Sequence, residues 1–74
     1  MRESKKIKEL RVRANNGESQ AQCSLALRFF YGRGVEKDSK TAVNLLKEAA
    51  DGGHVGAQEL LKSIETNSGL LGRH

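Results

Sequence analysis

The sequence predicts an all-α fold of about four antiparallel helices that form an α/α helical repeat. Three observations predict it. The chain has no proline, glycines divide it into short periodic segments, and one stretch returns after a shift of 36 residues. With 74 residues it is at most one domain, and 36% hydrophobic residues make it too apolar for a disordered tail.

The internal shift of 36 residues is the strongest of these signals. Residues 36 positions apart have similar size and polarity along one predicted helix and into the next. Ile7, Leu10, Ala14, Gly17, Ala21, Gln22 and Leu25 correspond to Val43, Leu46, Ala50, Gly53, Ala57, Gln58 and Leu61. Such a period suits a unit of two helices and two turns.

The first two helices are predicted over residues 3–15 and 19–31. In the first, Ile7, Leu10 and Ala14 are spaced three and four apart and form a buried stripe, and Gly17 follows its end. The second buries a stripe of residues four apart and ends before a glycine-rich turn. That stripe is Ala21, Leu25 and Phe29, and the turn glycines are Gly32 and Gly34.

The other two helices are predicted over residues 38–50 and 55–66, so that 1–66 is the domain. Asp38 is a good N-cap for the third helix, and Gly53 follows its end. The positions expected to face inward are Ala42, Leu45, Leu46, Ala49 and Ala50, followed in the fourth helix by Ala57 and Leu61. We expect the tail, 67–74, to fray, although Leu70 and Leu71 could cover an exposed edge of the core.

These residues resemble the Sel-one-like repeats, which are relatives of the tetratricopeptide repeats and stack helix pairs into a right-handed solenoid. The resemblance covers residues 14–58 and rests on the order of Ala21-Gln22, Leu25, Phe29, the Gly32-x-Gly34-Val35 turn and Asp38, followed by the alanines of the third helix. Leu45 stands where the family often carries tryptophan. The resemblance implies an interaction role, as an adaptor or as an inhibitor of a larger protein complex, and no enzymatic activity.

A candidate partner-binding groove lies on the second helix, on the side opposite its buried stripe. Its residues are Gln20, Cys23, Ser24, Leu27 and Tyr31. A fully solvated face would not need Leu27 or Tyr31, and the resemblance implies that this helix lines the concave surface of the solenoid. The alternative is that Leu27 and Tyr31 pack on the preceding helix.

A basic edge is predicted on the first helix, formed by Arg2, Lys5, Lys6 and Arg13. The net charge of +4 falls within residues 1–13, because the rest of the chain balances. This edge is either a solvated face or a docking surface for an acidic protein. Nucleic acid or a ribonucleoprotein is the alternative partner, disfavoured because no aromatic residue is interleaved with the charges.

Catalytic, metal and cofactor sites are not predicted. His54 and His74 have no second ligand at helical spacing, and Cys23 is best read as a small apolar filler. One cysteine cannot form an internal disulfide, and no apolar run resembles a signal peptide or a membrane span. We therefore expect a cytoplasmic protein without membrane association.

The two outer helices are each half of a helix pair. Repeat arrays bury their apolar faces against neighbours, so we expect either polar caps or stacking of two chains into a homodimer.

Overall fold

A computed structural model describes the backbone of residues 4–72 and the side chains of residues 4–65. Four helices follow one another along the chain: α1 (Lys5–Asn15), α2 (Ser19–Tyr31), α3 (Ser39–Asp51) and α4 (Val55–Gly72). Each helix packs against its neighbours in sequence, with α2 against α1 and α3, and α4 against α3. The predicted all-α fold is confirmed, and the described backbone contains no strand.

The N-termini of α1 and α3 are capped by side chains. Ser4 Oγ accepts a hydrogen bond from the Ile7 amide at 3.2 Å, which makes Ser4 the N-cap and starts α1 two residues later than the sequence suggested. Asp38 caps α3 as expected, accepting from the Thr41 amide at 3.2 Å and from the Thr41 hydroxyl at 2.7 Å.

The C-terminal end of α4 differs from the sequence-based expectation. The tail was expected to fray from residue 67, but α4 continues through Gly72. Glycine in a helix costs only about 1 kcal/mol relative to alanine, and no proline is present to end the helix. The proposed cover by Leu70 and Leu71 concerns side chains outside the described residues.

The core runs between the helices and is rich in alanine, which lets the helices approach closely. Its buried members are Ile7, Ala14, Ala21, Cys23, Leu25, Ala26, Phe29, Val35, Ala42, Leu46, Ala49 and Ala57, with Leu10, Phe30, Leu45, Ala50, Leu60, Leu61 and Ile64 packed against them. Ile7 and Leu46 are the largest fully buried side chains among the described residues.

The turn between α2 and α3 positions α1 as well. Gly32 ends α2 in the left-handed conformation, with φ of 67°, and Gly34 has φ of 80°. A β-carbon on Gly34 would lie 3.2 Å from Cγ1 of Ile7, so the turn and α1 are in close contact. The turn glycines therefore set the approach of α1 to the rest of the domain.

Candidate functional site

One face of α2 forms an open groove of about 420 Å³, which we call the α2 groove. It is lined by Ser24, Leu27, Arg28, Tyr31 and Arg33. Leu27 is half-buried, whereas Tyr31 is 68% exposed and its ring lies 6.0 Å from the ring of Phe30. A largely exposed Tyr31 does not pack on α1, so that alternative is excluded for this residue.

A second cleft, of about 290 Å³, lies between α1 and α2 and is called the α1–α2 cleft here. It is lined by Lys6, Glu9, Leu10, Arg13, Ser24 and Arg28. Ser24 and Arg28 belong to both depressions, so the groove and the cleft are continuous. The surface they share is basic, because three cations line the cleft and Glu9 is its one acidic residue.

The cations of this surface differ in their pairing. The Arg13 guanidinium donates to Glu18 Oε1 at 2.9 Å, between side chains that are each about half exposed. Among the described side chains, no ion pair involves Arg28 or Arg33. The two arginines that line the α2 groove with Leu27 and Tyr31 thus remain available to an incoming acidic group.

The predicted groove residues are only partly brought together. Ser24, Leu27 and Tyr31 line the α2 groove, while Gln20 is exposed but lies outside its lining. Cys23 is 8% exposed and belongs to the core, so its placement on the groove face was wrong. Burial raises the pKa of the Cys23 thiol, which is consistent with the predicted role of this residue as a small apolar filler.

The described residues of the predicted basic edge line two adjoining depressions, which meet at Glu9 and Arg13. Lys6 and Arg13 line the α1–α2 cleft. Lys5 lines an adjoining depression of about 340 Å³, the outer cleft, together with Lys8, Glu9, Val12 and Arg13, the last of which lines both depressions as Glu9 does. Arg2 lies outside the described residues.

Sequence reasoning missed Arg28 and Arg33 as groove residues. A signal for Arg28 was present, because Ser24, Leu27, Arg28 and Tyr31 follow the spacing of three and four residues that marks one helix face. Arg33 could not be placed in this way, since its position depends on the turn after α2.

The side chain of His54 has a structural role. His54 Nδ1 accepts a hydrogen bond from the Ala57 amide at 3.0 Å, so the imidazole caps the start of α4. Within residues 4–65 no group of three or more metal-ligating side chains is brought together.

Among the described helices none has the length and apolarity needed to cross a membrane.

The repeat itself is visible in paired hydrogen bonds. Gln22 Nε2 donates to the Ala14 carbonyl at 3.1 Å, and Gln58 Nε2 donates to the Ala50 carbonyl at 3.0 Å. These pairs are related by the 36-residue shift, as are Gly17 and Gly53, whose φ angles are 89° and 91°. Two successive helix junctions therefore share one geometry.

Residues 19–54, which span α2, α3 and the turns that follow them, match the family model of the Sel1 repeat. The chain contains a Sel1 repeat. Sel1 repeats are non-catalytic helical repeats that generally mediate protein–protein interaction. No match was found among the solved structures.

Proposed function

We propose that this protein binds a larger protein or protein complex through the α2 groove and works without catalysis, as a small adaptor or inhibitor. One observation carries the proposal: within the Sel1 repeat, Leu27 and Tyr31 line one open groove together with Arg28 and Arg33. Aromatic and arginine side chains dominate the binding energy of many protein interfaces. The partner surface that fits presents an apolar side chain next to acidic groups.

The adaptor and the inhibitor make different demands on the surface. An inhibitor needs one face, whereas an adaptor needs a second, and the outer cleft around Val12, which is 61% exposed, is the candidate for it. Loss of one of two partners on Val12→Asp would indicate an adaptor. If one partner is bound and Val12→Asp leaves it bound, the inhibitor is favoured.

Nucleic acid is the weaker alternative. The Arg13–Glu18 ion pair and Glu9, which lies between the depressions of Lys5 and Lys6, weaken the basic edge as a track for a phosphate backbone. The cytoplasm, with its reduced thiols, is the compartment we propose, because Cys23 is a free thiol.

The test is affinity capture from cells of the source organism, followed by mass spectrometry. Wild-type bait is compared with Tyr31→Ala and Leu27→Asp, and with Val55→Ala as control, because Val55 is 64% exposed on α4 and lines none of the three depressions. We expect one set of proteins that the wild type and the control retain and both groove variants lose. Equal capture by all four baits would contradict the proposal. Circular dichroism must show that each variant is folded.

A further inference from the structure

Two exposed faces of this domain carry opposite charge patterns at positions that are apolar inside the repeat. On α1 the face consists of Lys6, Glu9 and Arg13, and on α4 it consists of Glu59, Lys62 and Glu65. All six side chains are exposed. We infer that the α4 face of one copy docks on the α1 face of a second copy, head to tail, and continues the solenoid.

The repeat shift shows what these faces would be inside an array. Lys6, Glu9 and Arg13 correspond to Ala42, Leu45 and Ala49 of α3, which pack in the core. Ala42 and Ala49 have no exposed surface. The α1 face is therefore the one against which a helix of the α2 type packs in the repeat.

The α4 face is equivalent to buried positions of α2. Glu59, Lys62 and Glu65 correspond by the same shift to Cys23, Ala26 and Phe29, and all three of these are buried. Since α4 stands one period after α2, it is a helix of the type that packs on an α1-type or α3-type helix. The two faces thus have the geometry of the α2–α3 pair.

The charges identify the occupant. When α4 is laid on α1 in the antiparallel arrangement of α2 on α3, Glu59 approaches Arg13, Lys62 approaches Glu9 and Glu65 approaches Lys6. Opposite charges meet at all three positions, whereas a shift of the register by one position would place like charges together. The order of charges is the same in both directions along each face, so the antiparallel direction follows from the geometry of the α2–α3 pair. Arg13 is already paired with Glu18, so Glu59 would join an existing ion pair and form a network.

This association would be weak and reversible, because exposed ion pairs contribute only about 0–1 kcal/mol each and are screened by salt. It is heterologous, so copies would add in a chain rather than close as a homodimer. The α2 groove lies outside the two faces except at its edge, where Ser24 and Arg28 also line the α1–α2 cleft. Stacking would therefore lengthen the binding surface.

The experiment is sedimentation velocity of the wild type from about 10 µM to about 1 mM, at ionic strengths of about 0.02 M and about 0.5 M, where the screening length falls severalfold. At low salt we expect the average mass to rise above the monomer mass of 8.1 kDa as the concentration increases. At high salt we expect it to remain at the monomer mass. A wild type that remains monomeric throughout would overturn the inference.

Two charge-swapped variants test the faces, and both keep the net charge. Glu9→Lys with Arg13→Glu reverses two of the three charges of the α1 face, and Glu59→Lys with Lys62→Glu reverses the two charges of the α4 face that meet them. Each variant alone should associate at least about tenfold more weakly, because like charges then meet. An equimolar mixture of the two should recover wild-type association, since each reversed face finds its complement.

The control exchange is Lys47→Glu with Glu48→Lys, on exposed positions of α3 that belong to neither face, and it should behave as the wild type. Association that survives both swaps, or a mixture that does not recover it, would contradict the pairing. Leu27→Asp separates this inference from the proposed function. If Leu27→Asp abolishes self-association, the second copy occupies the α2 groove and the inference fails. If Leu27→Asp leaves self-association intact, a failure of the wild type to capture partners through the groove contradicts the proposed function alone.

Discussion

The helices α1 and α3 occupy equivalent positions one repeat apart, yet three equivalent residues are packed in the core in α3 and exposed in α1. In α3 they hold Ala42, Leu45 and Ala49, which pack in the core. In α1 they hold charged side chains that line the α1–α2 cleft. The turns that end the two helices and the residues that pack on the following helix are preserved. A change at packing positions therefore turns a core face into a surface that can bind.

The largest test of this comparison is to exchange one residue between the helices. Ala49→Arg gives α3 the residue that α1 has, and burying that charge without a partner should cost about 3 kcal/mol or more, enough to unfold so small a domain. Arg13→Ala, the reverse exchange, should change stability by less than about 1 kcal/mol, because the Arg13–Glu18 pair is half exposed.

Urea unfolding followed by circular dichroism measures both variants. A folded Ala49→Arg protein, or an Arg13→Ala variant that loses as much stability, would show that the two helices are not used differently.

A smaller effect is expected where the two helices end. Gln22→Ala leaves the carbonyl of Ala14 without its side-chain donor in a buried setting and should cost about 1–3 kcal/mol. Gln58→Ala removes the equivalent bond at an exposed site and should cost no more than about 1 kcal/mol. Thermal melts of the two variants give the difference, and equal losses would mean that burial does not distinguish the junctions.

The smallest effect concerns the N-caps, serine in α1 and aspartate in α3. The hydroxyl and amide of Thr41 donate to Asp38 and lower the pKa of its carboxyl group. A lowered folded-state pKa means that this contribution to stability is present above the unfolded pKa of about 4 and is lost as the pH falls through the folded value.

Asp38→Ser would give α3 the cap of α1, which does not titrate in this range. We expect it to melt below the wild type at about pH 7 and to approach it at about pH 2. The difference between the two melting temperatures is the measurement, because other carboxyl groups titrate in both proteins. A difference independent of pH would show that the Asp38 charge adds nothing to the cap.

Much of the fold could be predicted because equivalent positions of the repeat carry similar residues twice in the sequence. Ala14 and Ala50, or Gly17 and Gly53, support one another as no single residue could, and Asp38 is a local signal that needs no tertiary information. The start of α1 was predicted too early because Ser4, the one residue of a preferred N-cap type among residues 1–13, was counted inside the helix and not as its cap. The end of α4 was predicted too early because glycine weakens a helix without breaking it.

The site was harder to predict than the fold. Cys23 was placed on the groove face because cysteine gives little indication of its side of a helix, whereas Leu27 and Tyr31 stood out as apolar residues at exposed spacing. The position of Arg33 depends on the glycine-containing turn after α2. Lys5 and Lys6 line different depressions because α2 packs on one side of α1. These placements depend on tertiary packing, which a single sequence does not encode locally.

The matched hydrogen bonds from Gln22 and Gln58 also make the domain extensible. Glu18 and His54 occupy equivalent positions, and their amides donate to the equivalent carbonyls of Arg13 and Ala49. A duplicate of 19–54 inserted directly after His54 would preserve every helix junction. The gene could thus acquire another helix pair, with a second copy of the groove, by a tandem duplication in frame.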